Sequence, residues 1–207
     1  MALAIQEVSR KLLHLVAIIM PLSILYLPEW APYFLGTLSF TIVMIEWIRF
    51  RHPFVQRLFH TYFGIMMREE ENQRVTGATW IILSAFLLSL FFIHHPSIPF
   101  VALTMFILGD SAAALVGMTL GRIKIGKKSL EGSLACFSLC LFLCYAVFPY
   151  MPGVDRKILH HAIVWLAASF VTIFELFPLR VMGYRIDDNL SVPLLASIFI
   201  WVLSGMG

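Results

Sequence analysis

The segment Leu108 to Gly132, LGDSAAALVGMTLGRIKIGKKSLEG, sets an ionised carboxylate, Asp110, inside an apolar run and follows it with a basic turn. That turn holds Gly121, Arg122, Lys124, Gly126, Lys127, Lys128 and Ser129. A charged side chain at membrane depth costs roughly 2.5–3.5 kcal/mol on insertion scales, so it comes with a partner or a task. Lysines, a hydroxyl and glycines next to a carboxylate suit phosphate and a divalent cation. The expectation is phosphate chemistry at a membrane surface. Because no strand precedes the turn, it is not the phosphate loop of soluble nucleotidases.

A second carboxylate group, Asp187-Asp188-Asn189, sits just before an apolar run. Each of the three is a good N-cap, and a carboxylate there suits the helix dipole. One would suffice for a cap; two in succession beside Arg185 point to hard-oxygen binding of a divalent metal. The histidines carry less. His94-His95 and His160-His161 read as interfacial filler, whereas His14 follows Arg10-Lys11 at the level of the carboxylates. Cys136, Cys140 and Cys144 recur every four residues and read as small packing residues on one helix face.

The elements that must hold these groups are helices in a bilayer. The 207 residues are 60% hydrophobic and 13% charged, with a mean hydropathy of +0.87, which excludes an ordinary soluble domain. Seven apolar runs are long enough to be spanning candidates: Leu12–Leu27, Ala31–Ile48, Gly77–Ile93, Ser97–Leu120, Gly132–Met151, Ile158–Phe177 and Leu190–Met206. The first is short and begins close to Arg10 and Lys11, which are expected to snorkel. Short connections argue for one all-α bundle over residues 1–207, without a second domain.

Thirteen of the 15 Lys and Arg fall in the N-terminal tail and in alternate connections, leaving only Arg156 and Lys157 on the other side. The positive-inside rule then places the N-terminus in the cytoplasm and the C-terminus outside after seven crossings. Under that topology His14, Glu46, Asp110, Glu175, Asp187 and Asp188 all lie toward the cytoplasmic face. The connection 49–76 is too long for a turn. Phe54, Val55, Leu58, Phe59, Tyr62, Phe63 and Met66 recur there at helical spacing between Arg51, Arg57 and Arg68, which reads as an amphipathic helix in the cytoplasmic interface. Glu69-Glu70-Glu71 reads as a solvated run.

Gly109, Ala113, Gly117 and Gly121 form a smooth stripe that lets a neighbouring helix approach closely. The basic turn feeds the N-terminus of the next helix, whose unpaired N–H groups favour an anion. Ser129 or Ser133 can cap that end, and Lys124, Lys127 and Lys128 supply charge for phosphates or, equally, enforce topology.

Taken in order, Arg10-Lys11-x-x-His14, Gly109-Asp110-x-x-Ala113-x-x-x-Gly117-x-x-x-Gly121, Lys128-Ser129-x-Glu131-Gly132-Ser133, Glu175 and Asp187-Asp188-Asn189-x-x-x-Pro193 resemble the CTP-dependent lipid-alcohol kinases. That family includes dolichol kinase, phytol kinase and the CTP-dependent diacylglycerol kinase, and the resemblance spans nearly the whole chain. It implies a membrane kinase-like domain that transfers the γ-phosphoryl of CTP to a lipid hydroxyl from the cytoplasmic leaflet, with Mg²⁺ or another divalent cation. The acceptor would be a polyprenol, a phytol-like isoprenoid or diacylglycerol. The resemblance assigns Gly117, Gly121, Lys124, Lys127, Lys128, Ser129, Glu131, Gly132 and Asn189, with Arg10, Lys11 and His14, to the nucleotide. It assigns Asp110, Asp187 and Asp188 to catalysis and metal. No nucleic-acid partner is expected, and a homodimer stands among the expected assemblies. Two competing readings are a phosphatidate cytidylyltransferase, which would release pyrophosphate, and a cation-coupled transporter with Asp110 as its relay.

Overall fold

The computed structural model describes residues 2–64, 67, 69–181 and 184–206. Among the described residues, nine α-helices form a membrane bundle: α1 (Ala2–Val16), α2 (Ile19–Tyr26), α3 (Ala31–Arg49), α4 (Pro53–Phe63), α5 (Gly77–Phe91), α6 (Ser97–Thr119), α7 (Leu130–Phe142), α8 (His161–Leu176) and α9 (Asp188–Ser204). Each apolar run found in the sequence coincides with one of these helices or with the α1–α2 pair. Ser9–Tyr26, Ala31–Arg49, Ser97–Thr119 and Leu130–Tyr150 are long and apolar enough to cross a membrane; α5, α8 and α9 are apolar but shorter.

The helices break where the chemistry demands it. α1 stops and α2 restarts around Ala17-Ile18, because Pro21 has no N–H for the Ala17 carbonyl and its ring crowds that carbonyl. α7 runs on through a wider turn at Leu143–Val147 and a tight one at Phe148–Tyr150, where Pro149 removes a donor.

The fold is all-helical as expected, and among the described residues two short hairpins join its helices: β1 (Lys124–Ile125) with β2 (Lys128–Ser129), and β3 (Arg180–Val181) with β4 (Tyr184–Arg185). Gly126 turns the first at φ 62°, the left-handed conformation a two-residue hairpin loop requires.

The core is organised around α6, which packs against α1, α2, α7, α8 and α9. Its small-residue stripe meets α7 at close range. A Cβ on Gly109 would lie 2.8 Å from Cys136 Sγ, and one on Gly132 would lie 2.5 Å from the Ala113 carbonyl oxygen. Cys136, Cys140 and Cys144 are buried and unpaired in this seam, as small packing residues.

The connection after α3 carries the expected amphipathic helix, shorter than the pattern, as α4. None of its residues is buried, and Phe54, Leu58, Tyr62 and Phe63 stand exposed. Met66 and Arg68, also read into that pattern, lie outside the described residues. Glu71 is not simply solvated: its Oε1 accepts the Gly77 N–H at the start of α5, at 3.1 Å.

Candidate active site

Lys11 and His14 are three residues apart on α1 and so share a face. Both turn to Asp110 on α6. Lys11 Nζ donates to Asp110 Oδ2, and His14 Nε2 lies 3.5 Å from the same oxygen. Lys11 is 3% exposed. The expected snorkelling is therefore corrected: a desolvated ammonium is far better placed on a carboxylate than along the helix surface. The same contact supplies the structural partner for Asp110 that the sequence did not reveal.

A second ion pair stands beside the first. The β1–β2 hairpin places Lys128 so that Nζ is 2.7 Å from Glu175 Oε1 at the end of α8 and 3.6 Å from Asp188 Oδ2 at the start of α9. Lys128 Nζ also donates to the Glu175 backbone carbonyl. The β3–β4 hairpin brings Arg185 to 4.0 Å from Asp188. Asp110 lies within Coulombic reach of Lys128, and Glu175 within reach of Asp110 and Asp188, so the two pairs form one cluster. It is incompletely satisfied: Glu175 Oε2 and His14 Nε2 are buried without a hydrogen-bond partner. Buried polar atoms normally find partners, and exceptions call for an explanation such as catalysis or an absent ligand.

The turn residues surround this cluster and also hold the fold together. Ser129 Oγ accepts the Gly132 N–H at 3.1 Å and caps α7. Gly117 and Gly121 lie against that hydroxyl, where added Cβ atoms would come within 2.9 Å and 2.7 Å of it. Glu131 accepts the Ile123 N–H at 3.1 Å, closing the hairpin onto α7. Lys124 Nζ donates to the Gly117 carbonyl at 3.3 Å, a favourable use of a cation at a helix C-terminus. Lys127 is exposed at the hairpin tip. Arg10 lies within Coulombic reach of His14.

At the third element of the site, Asp187 caps α9 through Oδ1, which accepts from the Asn189 backbone N–H at 3.0 Å and from Asn189 Nδ2 at 2.8 Å. Burial, and then the neighbouring Asp188 carboxylate, raise the Asp187 pKa above its ordinary value. A cation would relieve that repulsion. Among the described residues no three His, Cys, Asp or Glu side chains converge as a ready metal cage. Two adjacent carboxylates nonetheless fit Mg²⁺, which takes one or two protein carboxylates and completes its shell with water and substrate phosphate. Asn189 is buried against Gly77, where a Cβ would lie 2.7 Å from Asn189 Nδ2.

Glu46 shares the burial of these acids but not their place. Its Oε2 is 2.5 Å from Arg49 Nη2, while Oε1 accepts from the Thr76 N–H, Thr76 Oγ1 and Thr79 Oγ1 at 3.0, 2.8 and 3.1 Å. Arg49 in turn donates to the carbonyls of Glu71 and Arg74 at 3.2 and 2.9 Å and lies over the Phe50 and Phe59 rings. This is a joint that ties the end of α3 and the long connection to α5. Sequence reasoning counted Arg49 only as a topology charge; its spacing three residues after Glu46 on a helix was the signal for a pair.

Comparison with known proteins gives the same direction. The CTP-dependent diacylglycerol kinase 1 of Saccharomyces cerevisiae is 26% identical over 175 residues, covering 77% of this chain and 59% of the yeast protein. That of Schizosaccharomyces pombe is 29% identical over 164 residues, covering 75% and 73% respectively. A protein of Glycine max named probable phytol kinase 2, chloroplastic, is 25% identical over 209 residues, covering 96% and 66%. The chain thus spans less than two thirds of two of these relatives. No family profile matches the chain, and no solved structure matches it. On its motifs and its relatives alike, the chain is similar to the CTP-dependent lipid kinases.

Proposed function

We propose that this chain is a membrane-embedded kinase that transfers the γ-phosphoryl group of CTP to the hydroxyl of a membrane lipid. The observation that carries this reading is the half-buried cluster of Lys11, His14, Asp110, Lys128, Glu175 and Asp188 at one end of the bundle. The names of the relatives supply the nucleotide and the lipid; the cluster supplies chemistry suited to them. In this reading the seven apolar helical segments all cross, the N-terminus is cytoplasmic, and the cluster opens to the cytoplasm and the inner leaflet.

Phosphoryl transfer needs charge neutralisation and alignment more than covalent assistance. The lipid oxygen bonds to the γ-phosphorus as the bond to the β–γ bridging oxygen breaks, and CDP leaves. Asp110 accepts the hydroxyl proton at the depth where that hydroxyl sits, held in position by Lys11 and His14. Lys128, with Lys124 and Lys127 on the same hairpin, draws the phosphates toward the capped N-terminus of α7. Asp187 and Asp188 would hold a divalent cation, which when bound would neutralise charge on the phosphate oxygens. Gly117, Gly121 and Gly132 keep side chains out of the seam between α6 and the hairpin, so that Ser129 stays in register as the α7 cap.

The test is a matrix of nucleotides against lipid alcohols on purified full-length protein, with the nucleotide product identified. CDP together with a phosphorylated lipid is the expected outcome. Pyrophosphate with a CDP-lipid would replace the kinase by a cytidylyltransferase. Absence of product across the whole matrix would end both readings.

A further inference from the structure

The other end of α8 and α9 carries a groove of about 470 Å³ lined by Arg156, Lys157, His160, Ile163, Leu166 and Leu203, among others. It lies about 20 Å along α8 from Glu175 at 1.5 Å per residue, so it is no part of the ion cluster. Its composition is divided. The rim holds two permanent cations and an imidazole, while the wall toward the helix faces is apolar, with Leu166 48% and Leu203 38% exposed.

The cations are what need an account. Of the 15 Lys and Arg in the sequence, 13 sit in the N-terminal tail or in the connections at the cluster end. Arg156 and Lys157 are the two that do not, and both line this groove. The topology rule accounts for the excess of basic residues at the other end and gives these two no role. Neither makes an ion pair among the described residues; Asp155, the adjacent acid, spends Oδ1 on the Lys157 backbone N–H at 2.9 Å.

We infer that this groove binds one anionic phospholipid of the leaflet opposite the ion cluster, its phosphate between Arg156, Lys157 and His160 and an acyl chain along Leu166 and Leu203. A free phosphate would use the rim alone and leave the apolar wall to bulk acyl chains. A phospholipid matches both halves. This inference needs only the membrane bundle and stands apart from the kinase reading.

The experiment uses the full chain in nanodiscs of equimolar phosphatidylglycerol and phosphatidylcholine, released for native mass spectrometry to identify the most tightly retained lipid. Phosphatidylglycerol is expected in the parent. In Arg156→Gln/Lys157→Gln its affinity should fall about 30-fold, which is ~2 kcal/mol for two charges near an anionic headgroup. Both positions are exposed, so the variant should fold, and an unchanged thermal midpoint without lipid verifies that. Arg57→Gln, on the exposed face of α4 at the cluster end, should stay within about twofold. Glycerol 3-phosphate, which has the headgroup charge without chains, should not displace the lipid. The inference is overturned by equal retention of the two lipids, by retention unchanged in the double variant, by an equal loss in Arg57→Gln, or by displacement with glycerol 3-phosphate.

Discussion

Glu46 and Asp110 are both acids set against a cation inside a membrane bundle, yet their surroundings differ in kind. Glu46 takes three hydrogen bonds on one oxygen and Arg49 on the other. Asp110 is held by the flexible Lys11 and approached by His14, whose Nε2 has no hydrogen-bond partner. Unfilled atoms do not separate the two regions, since Glu46 Oε2 and Arg49 Nε lack a hydrogen-bond partner just as His14 Nε2 and Glu175 Oε2 do. The Glu46–Arg49 pair is sealed, with side chains 3% and 1% exposed, whereas Asp110 and Lys128 are 17% and 25% exposed and so stay open to a ligand. An ion pair inside the bundle therefore does not mark a functional acid; its access to a ligand does.

The sharpest break of this contrast is Asp110→Asn. If Asp110 receives the lipid proton, turnover should fall by about 100-fold or more, with the loss in kcat and not in KM. The same change strands Lys11 as a buried charge, so stability should also drop by about 3–5 kcal/mol. Lys11→Met/Asp110→Asn separates the two effects. The double variant should recover most of the thermal midpoint and none of the activity. Recovery of activity along with stability would reduce the pair to a second joint.

The opposite behaviour is expected at Arg49→Met. Glu46 loses its cation and the connection loses two carbonyl contacts, so unfolding should be easier by about 3 kcal/mol. Turnover per folded molecule, measured at a temperature where the variant stays folded, should remain within about twofold of the parent. A large loss of kcat in well-folded protein would place the joint in the catalytic machinery.

How far the sequence foretold these two regions depends on the range of the contacts involved. The helical segments were legible because apolar runs and charged connections are local patterns, and four of the segments are long and apolar enough to span. The cap at Ser129, the hairpin at Gly126 and the Gly109–Gly121 seam are likewise local, and their residues were singled out for packing, capping or turning. The Lys11–Asp110 contact joins residues 99 apart, and spacing along the chain says nothing about such pairs. Glu71 was read as solvated because its run of three acids looks like a loop, and its contact with Gly77 forms only once the connection folds back.

Lys128→Ala tests the other half of the cluster with a smaller effect. Lys128 is partly exposed and serves Glu175 and Asp188 together. Removing it should raise the KM for CTP about tenfold, the value of one phosphate contact of ~1.4 kcal/mol, while kcat changes less. A kcat loss as large as that of Asp110→Asn would instead put Lys128 at the transferring phosphoryl group.

The mildest change expected is at Asp187→Asn. Asparagine caps a helix as well as aspartate, so stability at neutral pH should shift by no more than about 0.5 kcal/mol. Its pH dependence is more informative. Burial and Asp188 raise the Asp187 pKa above its ordinary 3.8, so the folded state holds this proton more tightly than the unfolded state does. Below that ordinary value both states are protonated and the group is neutral in its effect; as pH rises through the raised folded value, its ionisation lowers stability. The parent should therefore lose thermal midpoint across that window, and Asp187→Asn should lack this component. Mg²⁺ at neutral pH should then raise the midpoint of the parent more than that of the variant, because only the parent keeps both carboxylates for the cation. An equal Mg²⁺ response in the two proteins would remove Asp187 from the metal site and leave it as the cap of α9.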